Sequence, residues 1–325
     1  MKLRRIFLIL LPLLMLTMLA GLCFGSAPLS VSQLMAAWTG EGTARIILLG
    51  IRLPRVLAGA LAGMGMATAG VLLQTVTAND LASPNIIGIN SGAGLAVILM
   101  LTFFPGAGAW LPLGAFLGAF CASLVILAAG SKVGSAGSGI LLMGIAITTV
   151  FNAVISFLSL LDEGILAEYN HFTVGSLRGL RLGQLLVPGM IVFAGFFAAL
   201  ALSGRLGLLC LGDAAASALG VRVKELRIAS MACAAACAAA VVSFAGLLGF
   251  VGLVVPHMAR AVVGQRPGKL IAASALGGGI LVILADLLGR TLFAPSELPV
   301  GILMSLIGAP YFLVLLLRRK SHAGT

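Results

Sequence analysis

The chain has 325 residues, of which 61% are hydrophobic and only 9% are charged, and its mean hydropathy is +1.19. No water-soluble core requires so much apolar surface, so the composition excludes an ordinary soluble protein and indicates residence in a bilayer. The apolar runs are long and do not alternate with polar residues, which favours membrane helices over membrane strands. The net charge of +11 comes from residues scattered between these runs, so orientation in the membrane explains it better than nucleic-acid binding.

Nine uncharged runs are candidates for membrane spans. They cover residues 6–24, 56–76, 86–104, 109–130, 139–161, 182–203, 228–256, 270–285 and 298–317. The first run is too long for the core of a typical signal peptide, so we interpret it as helix 1. The run at 228–256 is too long for one span and is interrupted by Gly246, Gly249 and Gly252. This interruption predicts a full helix followed by a short one.

The distribution of Lys and Arg distinguishes nine helices from ten, because these residues favour the cytoplasmic side in short loops. With ten helices and the N-terminus inside, 14 of the 20 basic residues are inside: Lys2, Arg4, Arg5, Lys132, Arg205, Arg222, Lys224, Arg227, Arg260, Arg266, Lys269, Arg318, Arg319 and Lys320. With nine helices only 9 would be inside and 11 outside. The sequence therefore predicts about ten transmembrane helices with both termini in the cytoplasm.

Three connections are longer than simple turns. Residues 25–51 are predicted outside, with a short surface helix at 30–38, and residues 162–181 form a second outer segment. The main inner connection is predicted at 204–227, where Asp213 would cap a short helix that ends at Gly220. A short helix at the inner face is suited to docking a soluble partner. An ordinary interhelical turn is the alternative interpretation.

Catalytic and nucleotide-binding patterns are missing from the sequence. The Gly-rich stretch at 130–139 lacks the spacing of a phosphate-binding loop, so we predict that this chain does not hydrolyse ATP. His171, His257 and His322 are far apart, which gives no support to a metalloprotease. The five cysteines are interpreted as small core residues, although Cys233 and Cys237 are spaced to share a helix face and bind a metal.

An ion-coupled secondary transporter usually has ionisable groups at membrane depth. Only Asp286 and His257 qualify here, and Asp286 lies four residues before Arg290, close enough on a helix to pair with it. This pair resembles a helix-end anchor more than a proton relay. A transporter with neither an ion site nor a nucleotide site must take its energy from a partner protein.

Five motifs, in order from residue 50 to the end, carry a resemblance to a known family. They are Arg52-Leu-Pro-Arg-Val-Leu-Ala-Gly59 with Asn79-Asp-Leu-Ala-Ser-Pro-Asn85, Leu211-Gly-Asp-Ala-Ala-Ala-Ser-Ala-Leu-Gly-Val221, Gly249-Phe-Val-Gly-Leu-Val-Val-Pro-His-Met-Ala-Arg260, Ala285-Asp-Leu-Leu-Gly-Arg290, and Glu297-Leu-Pro-Val-Gly301 with Ile307-Gly-Ala-Pro310. Together they resemble the permease family that serves iron-siderophore, haem and cobalamin ABC importers.

The resemblance implies an all-α type II ABC importer permease fold, in which helices 2–5 and 7–10 form an inverted pseudo-repeat. It implies that residues 1–325 form one transmembrane permease domain in the bacterial inner membrane. The implied partners are a second permease subunit, two cytoplasmic ATPase subunits that hold ATP and magnesium, and an extracytoplasmic substrate-binding protein. The implied cargo is a ferric siderophore, with haem or cobalamin as alternatives. An ion-coupled secondary transporter, and after it a membrane enzyme or scaffold, are the competing hypotheses.

The resemblance also assigns an outer docking site. The family's arginines that meet glutamates of the binding protein match Arg52, Arg55 and Arg290. Ion pairs at the rim of an interface steer docking and fix its register. The alternative is that arginines at helix ends only anchor the protein to lipid headgroups.

Two inner sites follow from the same resemblance. The family's coupling helix, which enters a groove of the ATPase, matches residues 211–221, with Leu211, Gly212, Asp213, Gly220 and Val221 as the recognisable positions. ATP-driven closure of the ATPases would move this loop and rock the helices.

The family's cytoplasmic gate matches Asn79, Leu81 and Ser138. The chain has Asp80 where the family commonly has Pro. This exchange restores a backbone donor and adds a charge beside the gate.

Overall fold

The computed structural model describes residues 2–27, 29–40, 42–85, 88–130 and 136–322, and in these ranges all regular structure is helical. The α-helices are α1 (Lys2–Cys23), α2 (Val31–Thr39), α3 (Thr43–Arg45), α4 (Leu53–Thr77), α5 (Ile89–Phe103), α6 (Leu111–Gly130), α7 (Ala136–Ser159), α8 (Glu163–Val174), α9 (Leu182–Leu209), α10 (Asp213–Ala218), α11 (Val223–Ala245), α12 (Val251–Val263), α13 (Pro267–Thr291) and α14 (Val300–His322). A π-helical stretch, Ile46–Arg52, joins α3 to α4, and a 3₁₀ turn, Gly108–Trp110, precedes α6.

Ten of the described helices are apolar and long enough to form a membrane bundle. Seven have the length and hydropathy of a full span, namely α1, α4, α6, α7, α9, α11 and α13, and three are shorter, namely α5, α12 and α14. The long run at 228–256 is divided as predicted, because α11 ends at Ala245 and α12 begins at Val251. Gly246 makes the break with a φ of +68°, a conformation that side chains with a Cβ rarely adopt. The predicted all-α fold of about ten membrane helices is confirmed.

Two details of the predicted inner connection are wrong. The connection predicted at 204–227 is shorter, because α9 continues to Leu209 and α11 begins at Val223. The short helix α10 is present, but Asp213 is its first residue and does not cap it. The carboxylate of Asp213 instead accepts a hydrogen bond of 2.7 Å from the guanidinium of Arg227 on α11. Gly220, with a φ of +81°, follows two residues after the helix has ended.

The core of the bundle is formed by α4, α11 and α13, while the other spans surround it. Of the residues in the most apolar 18-residue stretch of each span, 78% are buried in the span that contains α4 but only 11% in that of α1. Small residues allow the close packing at the centre, as is usual where membrane helices cross. A Cβ built on Gly63 of α4 would overlap the backbone of Gly278 on α13, and a Cβ on Gly278 would overlap Gly63. The two helices therefore touch backbone to backbone.

A second backbone contact joins α4 to α12. A Cβ on Gly70 would overlap the carbonyl of Gly252, and Gln74, one turn further along α4, donates a hydrogen bond of 3.3 Å to the same carbonyl. Gln74 is only 2% exposed. These contacts fix the end of α4, and the loop that follows it, against the first turn of α12.

Candidate functional site

The three arginines predicted to dock a binding protein lie together at the predicted outer face, where α1, α4 and α13 meet. The Nε of Arg55 donates to both carboxylate oxygens of Asp286 at 2.9 Å, and its Nη1 donates to Glu297 at 2.7 Å. The Nε of Arg290 lies 3.6 Å from Asp286. The predicted pairing of Asp286 with Arg290 is therefore present, but Asp286 makes its shorter bonds to Arg55.

Arg52 and Arg290 also bind the end of α1. The guanidinium of Arg52 donates to the carbonyls of Leu22 and Cys23, each at 2.7 Å, and to that of Ala27. Arg290 donates to the carbonyl of Gly21. The last carbonyls of a helix have no partner within the helix and carry partial negative charge, so two cations here stabilise the end of α1.

Glu297 connects this cluster to a cavity at the predicted outer face. Its carboxylate accepts hydrogen bonds from Ser26 at 2.6 Å and from Arg55 at 2.7 Å, and lies 3.9 Å from Arg178. Burial raises the pKa of the Glu297 carboxyl, but the hydrogen bonds from Ser26 and Arg55 and the positive charges of Arg55 and Arg178 outweigh it. The net pKa lies below its ordinary value, so Glu297 is ionised at neutral pH.

The cavity has a volume of about 490 Å³ and is lined by α4, by α8 and the segment after it, and by the segment that leads into α14. Arg55, Asn170, His171, Arg178 and Glu297 supply its polar wall. The side chain of Arg178 is 75% exposed, whereas those of Arg55 and Glu297 are 7% and 12% exposed. Arg178 is thus the accessible cation of this wall.

The docking arginines are not surface groups in this structure. Arg52, Arg55 and Arg290 are 3%, 6% and 2% exposed, and each bonds to groups of its own chain. The alternative that they only anchor to lipid headgroups does not fit this burial. Their contact with a binding protein stays a prediction. For Arg55 and Arg290 it requires that a partner carboxylate replace an internal one.

The predicted inner gate lies in the turn after α4. Ala78 adopts a left-handed conformation with a φ of +49°, and the side chain of Asn79 accepts a hydrogen bond of 2.9 Å from the backbone N–H of Leu81. Asp80, one residue further, pairs with Arg260 of α12 at 3.0 Å. Ser138 lies in the first turn of α7, and its side chain is outside the described part of the chain.

Arg260 links the gate turn to the bundle through two contacts. Its Nη2 donates a hydrogen bond of 2.9 Å to Gln74 of α4, while its Nη1 holds Asp80. Because Gln74 also binds Gly252 at the start of α12, the gate turn, α4 and α12 form one connected network. The charge introduced by Asp80 is therefore neutralised by a helix next to the turn.

The predicted coupling helix, α10, follows the C-terminal end of the long helix α9 and contacts both α9 and α11. Leu211 and Leu219, on either side of α10, are 63% and 59% exposed. Of the recognisable coupling positions, Leu211, Gly212, Asp213 and Gly220 are exposed and Val221 is half-buried. Exposed leucines outside the apolar spans form a surface suited to a protein partner.

Several residues in these sites were not assigned a role from the sequence. Glu297, Gln74 and Arg260 each stand in or beside a recognised motif, but their partners lie far away along the chain. One sequence signal does exist for Glu297, because only nine Asp and Glu residues are available to neutralise twenty cations. A buried arginine in such a chain has very few carboxylates available as partners.

Two of the five cysteines, Cys233 and Cys237, pack against the neighbouring helix α9. All five are free, and the thiol of Cys233 on α11 donates a hydrogen bond of 3.2 Å to the carbonyl of Gly195 on α9. A Cβ on Gly195 would overlap the sulfur of Cys237, so the paired thiols pack directly against α9. This contact agrees with the interpretation of both cysteines as core residues. For Cys23, Cys121 and Cys210 that interpretation is wrong, because their side chains are exposed on the surface of the bundle.

The fold defines a polytopic α-helical membrane protein. The chain belongs to the FecCD transport family, whose model matches residues 13–318. It is 36% identical over 305 residues to the iron(3+)-hydroxamate import system permease protein FhuG of Bacillus subtilis, covering 90% of this chain and 89% of the relative. It is also 36% identical over 320 residues to the hemin transport system permease protein HmuU of Yersinia pestis, covering 96% and 95%.

A solved structure agrees with this assignment. The chain superposes with a TM-score of 0.83 and 30% identity on an inward-facing conformation of a metal-chelate type ABC transporter, covering 97% of this chain and 99% of the other. The predicted family and the predicted type II ABC importer permease fold are confirmed.

Proposed function

We propose that this protein is the membrane-spanning permease subunit of an ABC importer that passes a metal chelate from a substrate-binding protein to the cytoplasm. The observation that carries this proposal is the near full-length similarity to import permeases, which includes both ends of the bundle. The protein lies in a bacterial inner membrane with both termini in the cytoplasm, as the distribution of Lys and Arg favours.

The energy comes from partner subunits in this proposal. The chain forms a dimer with a second permease subunit, and the pair binds two ATPases, which hold ATP and magnesium. The chain itself carries out no catalysis and binds no cofactor. The exposed leucines beside α10 support a contact with the ATPase, and the 2.7 Å bond between Asp213 and Arg227 ties α10 to α11, so that a push on α10 reaches the bundle.

The outer cluster receives the binding protein. Among the described residues, Arg55, Arg178 and Arg290 share two carboxylates, those of Asp286 and Glu297, and Arg52 bonds only to backbone carbonyls. The excess positive charge attracts an acidic partner surface and steers its approach. Arg178 makes the first contact, and a partner carboxylate then competes with Glu297 for Arg55.

The inner gate is the turn that contains Asn79 and Leu81, together with Ser138 of α7. Arg260 holds this turn through Asp80, so movement of α12 displaces the turn directly. This contact supplies the stiffness that a proline would otherwise give to the loop.

The cargo is a ferric siderophore in this proposal, with haem and cobalamin as alternatives. The test is uptake into proteoliposomes that contain this chain, the ATPase encoded beside it and its binding protein, with ferric siderophore, haem and cobalamin offered separately. We expect ATP-dependent uptake of the ferric siderophore and uptake of the other two at the level of liposomes without the permease. Preferential uptake of haem or cobalamin would contradict the siderophore assignment and leave the importer assignment in place.

A further inference from the structure

An apolar groove runs between α1, α12 and α13 in the half of the bundle that contains the gate turn. Its volume is about 340 Å³. All the described side chains that line it are apolar, and they include Ile6, Leu10, Val262, Ala273, Gly277 and Leu284. For comparison, a dry apolar cavity of about 150 Å³ is large enough to bind benzene. The groove is therefore large enough for a stretch of hydrocarbon chain.

The groove is open where Gly277 of α13 has no side chain to fill it. A Cβ built on Gly277 would meet only one atom, the Cγ1 of Val255, at an ordinary distance of 3.5 Å. The space above Gly277 is therefore open, in contrast to the closed crossing at Gly278, the next residue.

The groove leads to a positively charged end. Lys269, Ala273, Gly277 and Leu284 are spaced so that they share one face of α13, and the last three line the groove. Lys269 continues this row by one turn, and Arg266, at the start of α13, is exposed. In the part of the chain that the structure describes, neither Arg266 nor Lys269 forms an ion pair with an acidic residue.

No carboxylate of the three helices competes for these two cations. The sequences of α1 and α12 contain no Asp or Glu. The first acidic residue of α13 is Asp286, which lies near the other end of that helix. The carboxylate of Asp80 belongs to a neighbouring turn and is held at 3.0 Å by Arg260. The mouth of the groove therefore has an unbalanced positive charge next to a hydrocarbon-lined channel.

We propose that this groove is a binding site for an anionic phospholipid. One acyl chain lies along Ala273, Gly277 and Leu284, and the phosphate is bound by Arg266 and Lys269. Basic pockets between membrane helices select anionic headgroups in this way. A free phosphate would use only the charged end, whereas the lipid uses both the charge and the groove. The inference depends on the membrane bundle and not on the cargo or the partners proposed above.

The test is native mass spectrometry of the purified full chain, incubated with phosphatidylglycerol or with phosphatidylcholine of the same acyl chains. We expect the wild type to retain phosphatidylglycerol preferentially. Reversal of both charges in R266E/K269E is expected to weaken this binding on the order of tenfold or more, since each basic residue near a membrane surface contributes about 1 kcal/mol. The matched control is K224E, which reverses an exposed lysine at the start of α11 and is expected to bind phosphatidylglycerol as the wild type does.

A second variant tests the groove itself. Gly277→Leu places a side chain in the open space without a backbone clash and is expected to reduce retention of phosphatidylglycerol several-fold, while the elution volume in size-exclusion chromatography stays that of the wild type. The proposal is overturned if R266E/K269E retains phosphatidylglycerol as well as K224E does. It is equally overturned if Gly277→Leu leaves retention unchanged, because the charged end alone would then be the site.

Discussion

Replacement of Asp286 by Asn is expected to destabilise the folded protein by about 3–5 kcal/mol, because it leaves two buried arginines without their shared counter-charge. Asp286 is 3% exposed and contacts both Arg55 and Arg290. Glu297 can compensate Arg55 in part, but the structure gives Arg290 no other carboxylate within 4.0 Å among the described residues. The measurement is the thermal transition of the purified protein in detergent, followed by the fraction that remains monodisperse after heating.

The matched control for this prediction is Glu168→Gln. Glu168 is an exposed residue of α8 at the same face, and the structure shows no ion pair for it among the described residues. Its replacement removes the same charge but no buried contact. The free energy of unfolding is therefore expected to stay within about 0.5 kcal/mol of the wild-type value. Equal effects of the two substitutions would show that the Asp286 cluster does not stabilise the bundle.

Gly63→Leu is expected to destabilise the bundle by about 3 kcal/mol or more, at the upper end of the range for overpacked cores. The new side chain would overlap the backbone of Gly278, and a backbone cannot move aside as a flexible side chain can. Because α4 and α13 lie at the centre of the protein, their separation would also disturb the arginine cluster and the gate turn. The measurement is the yield of folded protein after extraction, together with its thermal transition.

Gly277→Ala is the control at this helix crossing. Gly277 is next to Gly278 on α13, but a Cβ there meets only Val255 at 3.5 Å. This substitution is expected to leave the transition near that of the wild type. If Gly63→Leu behaves like Gly277→Ala, the backbone contact between α4 and α13 is not required for folding.

Much of the fold could be predicted from the sequence, because each membrane helix needs its own long apolar run. The break near Gly246 was visible as well, since one run was too long for a single span and contained three glycines. The positions at which the helices end could be predicted less well from the sequence. α9 extends to Leu209, beyond the predicted end at residue 203. The prediction ended the helix before Arg205 because that residue is charged, but Arg205 is exposed and a helix can continue through it.

The sites were predicted in part. The motifs indicated which residues matter, and the spacing of Asp286 and Arg290 predicted their pairing. The burial of Arg52 and Arg55 could not be predicted, because it depends on carbonyls at the end of α1 and on Glu297, which is 242 residues from Arg55 along the chain. Likewise, Asp80 was recognised as unusual, but its partner Arg260 is brought close only by the packing of α12 on α4.

The source of energy tests the central claim most directly. The measurement is cargo uptake into proteoliposomes that contain this chain with its ATPase and binding protein, supplied either with ATP or with an imposed proton or sodium gradient. We expect uptake only with ATP, and none when the ATPase carries a substitution that prevents hydrolysis. Uptake that follows the ion gradient and is indifferent to ATP would contradict the assignment and favour an ion-coupled secondary transporter.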